Sequence, residues 1–103
     1  MIEQPEPIEF DGEICRLTLP STLTIAEVSS FAANFAEHDG EPKILKIDAS
    51  IVTQIDLAGL QMLLAIINEA GERGCSVSWP GITDHVRDSA ALAGLLDKLY
   101  ISH

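Results

Sequence analysis

The chain has 103 residues, which suits one domain with a single hydrophobic core, and we expect residues 1–7 to form a tail outside it. Its 16 acidic and 6 basic side chains give a net charge of −10, which argues against nucleic acid or an anionic lipid surface as the partner. No apolar run approaches the ~20 residues of a membrane span, so direct membrane insertion is not expected. The N-terminus lacks the features of a signal peptide, and a cytoplasmic location is the default.

The first predicted elements form a β-hairpin. Asp11 and Gly12 separate two extended runs, and this dipeptide favours a two-residue turn with positive φ angles. We expect strands at about 8–10 and 13–19, with Pro20 ending the second strand.

The stretch after this hairpin predicts the first helix. Thr24 and Glu27 have the spacing of a capping box, in which the hydroxyl accepts from the backbone at Glu27 and the carboxylate reaches back. The helix is expected to end near His38, with Gly40 just beyond it. Its predicted buried stripe consists of Ile25, Val28, Phe31, Ala32 and Phe35.

The centre of the chain alternates strands and helices. A short strand ends at Asp48, and a long helix begins at Asp56 as its N-cap and stops at Gly74. The segment "CSVSW" predicts the next strand, which we expect to close at Pro80-Gly81.

The last predicted helix is capped by Thr83, carries Val86, Ala90 and Ala93 at helical spacing, and is broken by Gly94. An apolar turn follows it. The predicted order is β-β-α-β-α-β-α, within one domain spanning residues 1–103. It favours an α/β fold with a small mixed, mainly parallel sheet, an N-terminal hairpin and three to four helices.

Residue types that carry catalysis are present but are not arranged for it. Asp48 and Asp56 stand at element boundaries, where carboxylates usually cap helices or are solvated. The histidines have no cysteine or acid at metal-ligand spacing, and surface positions are expected for His38, His85 and His103. We therefore predict no enzyme activity, no cofactor and no metal.

The two cysteines, Cys15 and Cys75, are 60 positions apart and are each placed in a predicted strand. That spacing matches neither a disulfide framework nor a zinc site, so buried free thiols are expected.

The long central helix has one strongly apolar face and one mixed face. The core face is predicted to hold Leu60, Leu63, Leu64, Ile67 and Ala70. The opposite face is predicted to hold Ala58, Gln61, Met62, Ala65, Glu69 and Glu72. Such a patch either docks a partner or is covered by a loop or by the C-terminal turn, and both interpretations stay open.

The segment "LKIDASIVTQIDLAGLQMLLAIINEAGERGCSVSWPGI" resembles the STAS domain, the fold of bacterial anti-sigma factor antagonists and of cytoplasmic domains of sulfate transporters. The family motif is a strand ending in Asp, a short loop, and Asp-Ser-Ser-Gly-Leu or Asp-Thr-Gly-Gly-Leu at a helix start. Asp48, Asp56, Gly59 and Leu60 match that motif. The ending "ALAGLLDKLYI" is similar as well, and the resemblance covers about residues 8–101.

The resemblance implies a regulatory module whose docking is switched by phosphorylation. In the family, a partner kinase phosphorylates a Ser or Thr at this helix start and a phosphatase reverses it. Leu57 and Ala58 occupy these positions here and cannot accept phosphate, so Ser50 and Thr53 are the nearest alternative acceptors. The expected partner-docking residues are Asp56, Leu57, Ala58, Gly59, Gln61 and Met62.

Gly59 itself has two open interpretations, because glycine is a poor helix former. It lets a partner approach the backbone closely, or it relieves crowding against the sheet.

Three functions are compatible with the resemblance. The first is an anti-sigma factor antagonist-like module that binds an anti-sigma factor with serine kinase activity. The second is a subunit bound to the ATPase of a lipid-transport ABC system. The third is a small-molecule sensor that uses the cleft between the hairpin and the long helix. The sequence leaves the partner open, and a homodimer is also allowed.

Overall fold

The N-terminal hairpin forms one edge of the main sheet. The computed structural model describes residues 8–36 and 42–102, so the predicted tail, His38, Gly40 and His103 lie outside the described part. Strand β1 (Ile8–Asp11) pairs antiparallel with β2 (Ile14–Thr18). The turn comes one residue later than predicted, at residues 12–13. Gly12 takes the positive φ of 61° while Asp11 stays in the ladder.

Parallel strands extend the hairpin into a four-stranded sheet of order β1-β2-β4-β6. The central strand β4 (Ile44–Ala49) pairs in parallel with β2 and with β6 (Ser76–Ile82). The predicted α/β class with a mixed, mainly parallel sheet is confirmed. One face of this sheet supplies much of the core, through Ile8, Cys15, Leu17, Leu45 and Ile47.

Strand β6 is longer than predicted and runs through Pro80 and Gly81 instead of closing there. Its register against β4 shifts between Lys46 and Asp48, which marks an irregularity of the β-bulge type. A proline is tolerated in this strand because β6 is an edge strand, where a missing N–H need not break a ladder.

A second, two-stranded sheet was not predicted. It pairs β3 (Thr22–Leu23) in parallel with β5 (Gln54–Ile55). Strands of two residues are too short to show a periodic sequence pattern. Each lies just before a helix, so their pairing brings the starts of two helices side by side.

The described part of the chain contains three helices: α1 (Ile25–Ala36), α2 (Leu57–Glu72) and α3 (Asp84–Leu92). Helix α2 packs against both α1 and β6, and α3 packs against β5. Within residues 8–36 and 42–102, no helix has the length and apolar character needed to cross a membrane.

Helix α2 ends as the sequence predicts. Gly74 follows the C-cap Arg73 with a φ of 82°, and the Cys75 N–H donates to the Ala70 carbonyl at 2.9 Å. This is a Schellman closure, which requires a left-handed residue after the last helical turn. Gly94, with a φ of 71°, ends α3 in the same way.

The start of α1 differs from prediction in two respects. The Thr24 backbone N–H and hydroxyl both donate to Glu27 Oε1, at 3.1 and 2.9 Å, so the hydroxyl donates to the carboxylate and does not cap the Glu27 backbone. Ile25 is 75% exposed and Ala32 is exposed, whereas Phe31 is buried. Ile25 is the first helical residue and its N–H is bonded to Asp56, while the buried side of α1 begins with the partly buried Val28.

The third helix is anchored at both ends. Thr83 Oγ1 accepts from the Val86 N–H at 3.4 Å, which confirms the predicted cap, and donates to the Val52 carbonyl at 2.8 Å. The predicted stripe holds for Val86 and Ala90, but Ala93 is exposed because it is already the C-cap.

Both thiols are free, as predicted. Cys15 is fully buried in β2, while Cys75 is partly buried and lies just before β6 instead of inside it. Burial, together with the neighbouring Cys75, raises the pKa of the Cys15 thiol to about 11. The Cys75 thiol donates to the Pro42 carbonyl at 2.8 Å.

Candidate functional site

Asp56 joins the starts of two helices. Its Oδ1 accepts from the Gly59 N–H at 2.9 Å, which confirms the predicted N-cap of α2. Its Oδ2 accepts from the Ile25 N–H of α1, 31 positions earlier, at 3.0 Å. The bond from Gly59 and then that from Ile25 hold the pKa of Asp56 below its ordinary value. One ionised carboxylate therefore satisfies free N–H groups on both helices.

Gly59 has no room for a side chain. A Cβ at this position would clash with the Leu23 carbonyl oxygen of β3 and lie 2.9 Å from Ile55 Cγ1 of β5. The contact supports the crowding interpretation of this glycine. Because Gly59 is buried, it positions the helix start and offers a partner no surface of its own.

An apolar surface surrounds Asp56. Leu57 is 56% exposed and Ile25 is 75% exposed, and both flank the carboxylate that links their helices. Ala58 is half-buried, and Gln61 one turn later is exposed. These four residues, Ile25, Leu57, Ala58 and Gln61, are called the α2-start surface below. Three of them are among the predicted docking residues, and Ile25 was missed because it was assigned to the core.

The prediction that Met62 faces outward is wrong. Met62 is only 7% exposed and lines a cleft together with Ala32 and Phe35 of α1. Helix α2 is covered by α1 as well as by the sheet, so its buried arc is wider than one face. Ile66 is buried for the same reason. The predicted core residues Leu60, Leu63, Ile67 and Ala70 are buried, while Leu64 is only partly buried.

The loop before α2 holds the predicted alternative phosphoacceptors, Ser50 and Thr53, and both are exposed. The Ser50 N–H donates to Asp48 Oδ1 at 2.9 Å, so Asp48 closes a local turn. The Thr53 hydroxyl donates to the Ser21 carbonyl at 3.2 Å. The carboxylates of Asp48 and Asp56 thus have separate backbone partners, and their arrangement favours the structural interpretation over a catalytic pair.

His85 is exposed, as predicted, yet its Nε2 accepts from the Ile55 N–H at 3.4 Å and so connects α3 with β5. Across the described ranges, no group of three or more His, Cys, Asp or Glu side chains is arranged to hold a metal ion.

The family model described as "Mlab, STAS domain" matches residues 7–100 of the chain. The chain belongs to the STAS domain family. The mixed main sheet, the small parallel sheet, the Asp48 turn and the Asp56 cap are therefore features of a STAS domain whose helix-start motif carries Leu57 and Ala58.

Solved structures share the fold of this STAS domain. The sulfate transporter family protein from Wolinella succinogenes is 15% identical with a TM-score of 0.74, covering 86% of this chain and 73% of that protein. The unphosphorylated anti-sigma factor antagonist SpoIIAA is 16% identical with a TM-score of 0.72, covering 85% and 79%. The STAS domain of a SulP transporter from Vibrio cholerae is 21% identical with a TM-score of 0.61, covering 88% and 71%. No curated protein matches the chain. Identities this low establish the fold alone.

Proposed function

We propose that this STAS domain is a non-enzymatic, cytoplasmic interaction module whose protein partner docks on the α2-start surface. The observation that carries the proposal is the exposure of two large apolar side chains, Ile25 at 75% and Leu57 at 56%, on either side of Asp56. Apolar groups held on rigid helix starts are well suited to a protein contact, because little entropy is lost when they are covered. The likeness in fold to SpoIIAA supports an anti-sigma factor as the class of partner.

The docking surface lacks the family's usual switch. Neither Leu57 nor Ala58 has a hydroxyl, so neither can be phosphorylated and the helix start gains no phosphate charge. If phosphate controls this module, Ser50 is the better acceptor, because the Thr53 hydroxyl is already bonded to the Ser21 carbonyl. The domain is thus proposed as a constitutive binder with, at most, control from the neighbouring loop.

A second candidate is a permanent subunit bound to a transporter ATPase. The absent hydroxyl favours it, because a structural subunit needs no phosphorylation switch. Both candidates use the same α2-start surface, and they differ in the partner that the surface binds.

The test replaces Ala58 with glutamate, which places a carboxylate in the middle of the α2-start surface. The macrodipole stabilises an acid in the first helical turn, so the fold should melt normally. Ala91→Glu is the matched control, since Ala91 is an exposed residue of α3. The full chain and both variants are used as baits in the native host, and captured proteins are identified by mass spectrometry.

We expect a partner that is retained by Ala91→Glu and lost by at least about 10-fold from Ala58→Glu, because docking would desolvate the new charge. Capture of an anti-sigma factor or of an ATPase decides between the two candidates. Equal capture by both variants at normal melting temperatures would show that the partner binds elsewhere.

Phosphorylation is tested separately with the captured kinase and ATP. No phosphate, or phosphate on Ser50 or Thr53, agrees with the proposal. Phosphate elsewhere would place control outside the loop before α2.

A further inference from the structure

A cleft of about 340 Å³ lies beside the second half of α2, between α1, α2 and the main sheet. Its lining is mostly apolar and is drawn from Phe10, Cys15, Ala32, Phe35, Leu45, Met62, Ala65, Ile66 and Ala70. Packed protein interiors contain few voids larger than a water molecule. A dry cavity of about 150 Å³ already accommodates benzene, and ligand pockets begin at about 300 Å³. The cleft therefore has the size of a small-molecule site.

Small side chains keep the cleft accessible. Ala32 of α1 and Ala65 of α2 both line it and are exposed, whereas Met62 and Ala70 line it from inside the core. Larger residues at the two exposed alanines would cover the opening. As formed by the described residues, the cleft is thus open to solvent at one side and closed by core residues at the other.

The two charged side chains in the described lining form an ion pair with each other. Glu69 and Arg73 are its charged residues, and Arg73 Nη2 lies 2.9 Å from Glu69 Oε1. Cys15 contributes a neutral thiol at pH 7, because burial raises its pKa to about 11. The Cys75 thiol is already bonded to the Pro42 carbonyl. Among residues 8–36 and 42–102, the lining offers no unpaired cation to an anion, and the net charge of −10 opposes anions further.

We propose that this cleft binds a neutral, mainly apolar small molecule about the size of two to three aromatic rings. Apolar surface on such a ligand would be removed from water by two phenylalanines, a methionine and the aliphatic side chains of the sheet and α2. The site lies along residues 62–73, in α2 and its C-cap, and is separate from the α2-start surface, so the inference goes beyond the proposed function. A partner and a ligand can occupy the domain together.

The probe is N-phenyl-1-naphthylamine, a neutral two-ring naphthyl amine with an additional phenyl group, whose fluorescence rises in apolar surroundings. It is titrated into the full chain beside 8-anilinonaphthalene-1-sulfonate, which has the same ring skeleton and an added sulfonate. We expect saturable binding of the neutral probe and at least about 10-fold weaker binding of the sulfonate, because the described lining has no free cation to compensate for removing the sulfonate from water.

Two variants obstruct the cleft from different sides. Ala70→Leu fills it from the buried side, and Ala65→Phe covers its mouth. Ala91→Leu adds the same leucine on the exposed surface of α3 and is the matched control. Both Ala70→Leu and Ala65→Phe should bind the neutral probe at least about 10-fold more weakly than wild type, whereas Ala91→Leu should bind it like wild type.

Melting curves accompany each titration. If Ala70→Leu unfolds, the result from Ala65→Phe decides, because Ala65 is exposed and a larger side chain there should not unfold the domain. Ala58→Glu should leave probe binding unchanged, which separates this proposal from the docking surface.

Three results would overturn the proposal. They are no saturable binding of the neutral probe, equal affinity for the sulfonate, or normal binding by both cleft variants. A second copy of the chain is the other possible occupant of the cleft, and sedimentation with and without probe tests it. If the probe dissociates a dimer, the cleft is a contact between two copies of the chain.

Discussion

The two halves of helix α2 are packed in opposite ways. At its start, Gly59 lies so close to β3 that a single methyl group would clash with the Leu23 carbonyl. In its second half, Ala65 and Ala70 border a cleft of about 340 Å³. The same helix is therefore tightly packed at one end and loosely packed at the other.

In our two proposals, the tightly packed end of α2 serves partner docking and the loosely packed end serves ligand binding. The tight end holds the exposed Leu57 in a fixed position relative to Ile25, because Asp56 is bonded to both helices. A surface fixed in this way loses little entropy on docking. The loosely packed end borders the cleft that we propose as a ligand site. A rigid contact surface and an adaptable cleft can thus share 16 residues of helix.

The contrast predicts the largest effect for Gly59→Ala. The added Cβ would meet the Leu23 backbone and Ile55 Cγ1, so the helix start must shift away from β3. We expect a loss of about 3 kcal/mol in the free energy of unfolding, measured by urea denaturation, as for other overpacked sites. A variant with wild-type stability would show that the start of α2 is not tightly packed.

Asp56→Ala should have the next largest effect, because it leaves N–H groups on two helices without their acceptor. Loss of an N-cap and of a second bond should lower the melting temperature by about 5 °C or more. Asp88→Ala, at an exposed acid of α3, is the control and should melt like wild type. Equal melting temperatures for all three proteins would contradict the linking role of Asp56.

The stabilisation by Asp56 should depend on pH. Its folded-state pKa is below the ordinary aspartate value, because the ionised carboxylate accepts backbone bonds from Gly59 and Ile25. The contribution is therefore complete above the unfolded-state pKa and is lost as the pH falls through the lower, folded-state value. Asp56→Asn should be less stable than wild type at pH 7, and the difference should narrow in acid. A difference that is constant from pH 7 to pH 2 would exclude the carboxylate charge as its source.

The smallest effect, of opposite sign, is expected for Gly71→Ala near the end of α2. Apart from its own helix backbone, a Cβ at Gly71 would meet no heavy atom of the described residues within 4 Å, in contrast to Gly59 on the same helix. Replacing a helical glycine by alanine restricts the unfolded chain and should raise stability by about 0.5–1 kcal/mol in the same urea assay. Destabilisation by this variant would mean that the two ends of α2 do not differ in packing.

Local signals were enough to predict the ends of α2 and α3. Asp56, Thr83, Gly74 and Gly94 act on backbone groups within a few residues, so their roles can be read from neighbouring sequence. The order of the helices and of the main-sheet strands follows from patterns of the same short range, whereas β3 and β5 do not. The main sheet and the start and end of α2 were therefore predictable from the sequence.

Contacts between distant segments account for what was missed. The bond from the Ile25 N–H to Asp56 spans 31 positions, and nothing near either residue predicts it. Met62 is buried by α1, an element that a helical wheel of α2 does not contain. The position of Pro80 inside β6 depends on which strand lies at the edge. These features depend on which surfaces meet, and periodicity within one element does not specify that.

The contact between Trp79 and the C-terminal turn makes the molecule its own optical reporter. The chain has one tryptophan, and its Nε1–H donates to the Leu99 carbonyl at 2.7 Å, beside the buried Leu99 and Ile101 side chains. Any opening of the turn would expose the indole N–H to water and change the tryptophan emission. Intrinsic fluorescence of this domain therefore reports whether residues 99–101 stay packed against the edge strand β6.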